Sequence, residues 1–135
     1  MAAWQAAFDI IPSGPFPADY RERLDAVASR FVSWNSNILA WGAQDSNCVE
    51  IYHESGQPTD GLLRIDLRDP DSVFIEVILR FLQASGFGLE DEQGRRVEPV
   101  PSEFALALGG SRAFRFVEDP ELYLRRLQLG GLKDV

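Results

Sequence analysis

Residues 62–68, LLRIDLR, constrain the fold more than any other part of the chain. Leu63, Ile65 and Leu67 alternate with Arg64, Asp66 and Arg68. Successive side chains of a β-strand point to opposite faces, so this spacing predicts a strand with one apolar and one wet face. Sheets built from such strands are antiparallel, with one side turned to water. Three other segments fit the same sheet. Residues 4–11 place Trp4, Ala6, Phe8 and Ile10 on one side. Residues 37–41 and 48–54 flank a Gly, Asp, Ser and Asn cluster suited to a hairpin turn. ESGQPTDG makes a second turn before 62–68.

Helical spacing alternates with these strands. Pro17 opens a predicted helix over 18–33, in which Tyr20, Leu24, Val27, Ala28 and Phe31 share a face. Asp69-Pro70 starts a second, with Asp69 as cap, and Gly86 stops it. Its apolar face takes in Val73, Phe74, Val77, Ile78, Phe81 and Leu82, and Glu76 lies one turn before Arg80. A short hairpin is expected at 87–89 and 97–99, then a helix from Pro101-Ser102-Glu103 to Gly109-Gly110. Residues 113–117 read as a strand or extended linker, and Asp119-Pro120 begins a last helix over 121–129. The expectation is one α+β domain over 1–135. It is an antiparallel meander of about four to six strands, packed in a single layer pair against about three or four helices.

Charge narrows the function. The chain has 135 residues and carries 21 acids against 13 bases, a net −8. Such a surface repels phosphate backbones and anionic lipids, so neither nucleic acid nor membrane is expected as a partner. Between Asp45 and Glu76, eight acids face only Arg64 and Arg68, which places −6 of the total in that segment. It is either a solvated face that aids solubility or a docking surface for a basic partner. The lone cysteine excludes an internal disulfide. With no basic, apolar leader and no apolar run of membrane length, the composition predicts a cytoplasmic protein.

Chemistry is hard to find. Cys48 and His53, the sole cysteine and histidine, are five apart, so a strand sends them to opposite faces, away from any shared metal or catalytic pair. The serine elbow and the glycine-rich phosphate loops are missing. Glu50 and Asp66 could face each other as paired carboxylates, but a cross-strand Glu50–Arg64 ion pair is the simpler account. Trp34, Trp41 and Tyr52 are either core residues or exposed aromatics beside the acids.

The segments FDIIPSGPFPADYRERLD, WGAQDSNCVEIYHESG, LLRIDLRDP and FRFVEDPELYL give the chain a whole-length likeness to small bacterial proteins. In that respect it resembles cytoplasmic immunity proteins. The resemblance implies a compact acidic α+β domain that covers the basic active site of a toxin, and it carries no catalytic residues. The expected function is therefore a non-enzymatic protein-binding module for a basic partner, with no cofactor and no metal, acting as monomer or homodimer. Asp45, Glu50, Glu54 and Asp60 are the expected contacts, with Trp41 and Tyr52 as anchors. The alternative is a small-molecule-binding or regulatory domain with a pocket between sheet and helices.

Overall fold

In a computed structural model that describes residues 3–111 and 113–116, the alternating segment forms the middle of a seven-stranded antiparallel sheet. The strands are β1 (Gln5–Ile11), β2 (Arg30–Phe31), β3 (Ile38–Gly42), β4 (Cys48–Glu54), β5 (Gln57–Asp66), β6 (Gly88–Glu90) and β7 (Arg96–Val97). Their spatial order is β2-β3-β4-β5-β1-β6-β7. Three α-helices accompany them: α1 (Tyr20–Asp25), α2 (Ser72–Ser85) and α3 (Pro101–Gly109). The fold is α+β, with a larger sheet than the sequence suggests. The helix expected over 121–129 lies outside the described residues.

Strand pairing writes the two faces of the sheet as rows. On one face Trp41, Val49, Leu63 and Phe8 lie side by side, and so do Leu39, Ile51, Gly61, Ile10, Leu89 and Val97. Tyr20 and Leu24 of α1, six buried residues of α2, and Phe104, Ala105 and Leu108 of α3 join the same apolar cluster. Phe8 and Phe104 bring their ring centroids to 4.9 Å, within the range where aromatic pairs attract beyond their burial. Gly61 is required in its row: a Cβ there would come within 2.6 Å of the Glu50 carbonyl and 3.0 Å of Ile10 and Ile51.

The opposite face carries the second row: Phe31, Ala40, Glu50, Leu62, Asp9, Glu90 and Arg96. Beside it, Gly42, Cys48, Arg64 and Ala7 form a third. The helices leave this face to two loops, and it holds the chemistry discussed below.

Several local expectations give way to stronger terms. The predicted helix over 18–33 survives only as the six residues of α1. Val27 and Ala28 still bond back to Leu24, but Arg30 and Phe31 then pair with Trp41 and Ala40 as an edge strand. The aromatic and β-branched run from Phe31 to Trp34 favours extended backbone, and a salt bridge from Arg30 to Asp25 (2.8 Å) fixes the exit from the helix. The second turn shrinks to Ser55 and Gly56, both left-handed (φ 53° and 79°), so β5 begins at Gln57 instead of 62. The cap of α2 is Asp71, whose Oδ1 accepts from Phe74 N at 3.0 Å, and Asp69-Pro70 precedes it. Val73, expected inward, is exposed in the first turn of α2. Gly86 closes α2 in the left-handed conformation as predicted (φ 73°). Residues Ala113–Phe116 form a 3-10 turn and not a strand or extended linker, with Phe114 N donating to Ser111 Oγ at 3.4 Å.

Candidate functional site

The expected contact residues separate into three environments. Trp41 is fully buried at 0% exposure, and its indole Nε1 donates to Asp25 Oδ1 at 2.7 Å. It ties α1 to β3 and cannot anchor a partner at the surface. Glu50 is 4% exposed and forms an ion pair with Arg64, Oε1 to Nη1 at 3.0 Å. The cross-strand pair expected from the sequence is therefore present, but it is sunk beneath two loops and not on the surface. Asp66, the other carboxylate weighed as a catalytic partner, is also buried and is held by Arg68 at 3.1 Å.

Tyr52 and Asp60 are directly paired on the helix-free face, half-buried and exposed respectively. Burial pushes the Tyr52 phenol above its ordinary range, and the nearby Glu50 carboxylate adds to the shift. Glu54 is exposed at the end of β4, beyond an irregularity in pairing between Tyr52 and His53. Asp45 is exposed in the 43–47 loop between β3 and β4. That loop is pinned down through its backbone. The Asp45 carbonyl accepts from Trp4 Nε1 at 2.9 Å, and the Gln44 and Ser46 carbonyls accept from Gln5 Nε2 at 3.1 and 2.7 Å. Its carboxylate makes no ion pair among the described residues.

Strand parity separates Cys48 from His53. His53 turns to the helix side, where Tyr20 Oη lies 2.5 Å from its Nε2. Arg21 Nε donates to the same hydroxyl at 3.0 Å. The other ring nitrogen, His53 Nδ1, lies 3.3 Å from the Asn37 carbonyl. This is a latch between α1 and β4. Cys48 is fully buried beside Arg64 on the other face. Desolvation pushes its thiol up to about 11, so at neutral pH it is protonated. Among the described residues no three His, Cys, Asp or Glu side chains are grouped to hold a metal ion.

The most exposed large apolar side chains among the described residues lie in the segment between β2 and β3: Val32, within the helix expected over 18–33, is 93% exposed, and Trp34, weighed as either core or surface, is 78% exposed. The signal available was the tryptophan itself, set in SWNSN, a run of turn-forming residues. Trp34 borders a cavity of about 110 Å³ lined also by Phe31, Ser33, Asp45, Glu50 and Arg64. One cavity between the sheet and α3, bordered by Ala7, Phe8 and Ala107, measures about 10 Å³, room for roughly one water. A wider, more open one of about 390 Å³ runs between β7 and α3, lined by Arg96, Val97, Glu103, Leu106 and Ala107. No helix among the described residues is long and apolar enough to cross a membrane.

Two stability measurements check this arrangement. Arg64→Met strands a buried carboxylate and should lower the unfolding free energy by about 3 kcal/mol in urea titrations, whereas adding Glu50→Leu should recover most of the loss. Equal damage from single and double variants would contradict the pairing. The Cys48 thiol titrates higher in the folded chain than its ordinary 9.0, so its contribution is fully present below pH 9.0 and is lost as pH rises towards about 11. Across that window the native chain should lose stability relative to Cys48→Val, and a constant difference would show that the thiol is not desolvated.

Comparison of the chain with family models, with curated proteins and with solved structures gives no match, so the reading of this surface rests on its own geometry.

Proposed function

We propose that the chain is a non-enzymatic binding domain for a basic protein, engaged through the 32–37 and 43–47 loops on the helix-free side of the sheet. The observation that carries this reading is the exposure of Trp34, at 78%, beside the Asp45 carboxylate, which makes no ion pair among the described residues. Tryptophan is among the residues that most often dominate binding energy, because one large rigid side chain excludes much water at little entropic cost. Val32 widens the apolar patch. The net charge of −8 supplies a field that hastens encounter with cations and turns away anionic surfaces. A protein that neutralises a basic toxin by covering its active site is the most concrete form of this function. The acidic surface supports that form.

Of the contacts expected from the sequence, Asp45 stays in the proposed interface. Tyr52, Glu54 and Asp60 form a separate acidic group that adds to the field. Trp41 and Glu50 serve from beneath, as core and as floor.

Selection of displayed random peptides on the immobilised chain tests the reading. Enriched peptides should be rich in Arg and Lys. Their affinity should fall by about tenfold or more with Trp34→Ala and decline with added salt. Asp45→Lys should act mainly on the association rate. Enrichment of neutral or acidic peptides, or binding indifferent to Trp34, would refute it.

A further inference from the structure

We infer that the cavity beneath Trp34 is a socket for a single arginine side chain carried by the basic partner, a claim that rests on the docking face proposed above. The cavity lies between the loop after β2 and the loop after β3, with the Glu50–Arg64 pair as its floor. At about 110 Å³ it has room for several waters, where about 10–15 Å³ suffices for one, and hence for the head of a long polar side chain that displaces them.

The charge of the lining selects a cation. Asp45 and Glu50 outnumber Arg64, and Arg64 is already committed: its Nη1 holds Glu50 Oε1. The Arg64 Nε is buried, with no hydrogen-bond partner among the described residues. An anion entering here would meet two carboxylates, Asp45 and Glu50. Neither the Asp45 carboxylate nor Glu50 Oε2 has a hydrogen-bond or ion-pair partner among the described residues, and the Ser33 hydroxyl stands at the same wall.

Trp34 narrows the choice between the two cations. A guanidinium is planar, weakly hydrated and stacks on an indole face, while its several N–H groups can reach more than one acceptor. A lysine ammonium is a compact, strongly hydrated charge that gives up more water on entering a confined site. The chain already uses guanidinium–indole stacking twice: Arg68 lies 3.7 Å from the Trp4 ring centroid and Arg30 lies 5.5 Å from that of Trp41. Trp34 is the tryptophan left with its ring in solvent, at the mouth of an acidic cavity.

The test titrates the full chain with N-acetyl-arginine methylamide, followed by two-dimensional NMR. The Trp34 indole N–H and the amides of Ser33, Gln44 and Asp45 should shift together and saturate. The citrulline analogue, same in shape but uncharged, should bind about tenfold more weakly or worse. Asp45→Asn, an exposed substitution that leaves the floor pair intact, should erase most of that preference. Free arginine should bind no better than the blocked amide, as expected for a side chain delivered on a polypeptide. Equal responses to the arginine and citrulline compounds, or shifts confined to other parts of the chain, would overturn the socket. Much tighter binding of free arginine would also overturn it and mark an amino-acid site instead. The probe needs no selected peptide, so loss of the socket and loss of the docking face are separate results.

Discussion

The Glu50–Arg64 ion pair governs what the helix-free side of the sheet can do. Two charged side chains near the middle of β4 and β5 lie under loops, where neither would be tolerated alone. Held at 3.0 Å, they let the sheet keep polar groups on its uncovered face without opening its core. Their neighbours follow from that burial. Cys48 and Ala7 flank Arg64 in its row and leave it space, and Cys48 is desolvated as a consequence. The loop from 43 to 47 is tied down across them by Gln5 and Trp4, and the cavity between that loop and Trp34 has the pair as its floor.

The other face works by a simpler rule. Rows of Trp41, Val49, Leu63 and Phe8, and of Ile51, Ile10 and Leu89, provide one continuous apolar surface onto which three helices close. This division of labour explains why the chemistry is sparse. On the helix side His53 and Tyr20 bond to each other in joining α1 to β4, and Asp25 is held by Trp41 and Arg30. On the open side Asp9 and Asp60 face solvent, while Glu50 is buried against Arg64.

Much of the architecture was legible because it depends on alternation. The period of two at 62–68 gave the sheet its faces, and β1 and β4 followed the same rule nearly to the residue. Gly86 and Pro101 marked helix ends because their backbone preferences act locally. What failed depends on partners distant in sequence. The spacing of Tyr20, Leu24, Val27 and Phe31 fits a helix, and nothing local reports that β3 offers Phe31 an edge to pair with. Likewise Trp41 and Trp34 look equivalent in a hairpin-rich acidic segment. Only the pairing of Trp41 with Val49, beneath α1, decides that one is core while the other is surface. Glu50 was rightly matched with Arg64, but its depth comes from the 43–47 loop folding over it, which no periodicity encodes.

The central claim is that a basic partner docks on the 32–37 and 43–47 loops. Hydrogen exchange measured on the chain with and without a bound basic peptide tests it most directly. Slowed exchange is predicted in those two segments, with β6 and β7 unchanged at the far edge of the sheet. Protection confined to β6, β7 or α3, with the two loops exchanging as freely as before, would contradict the account.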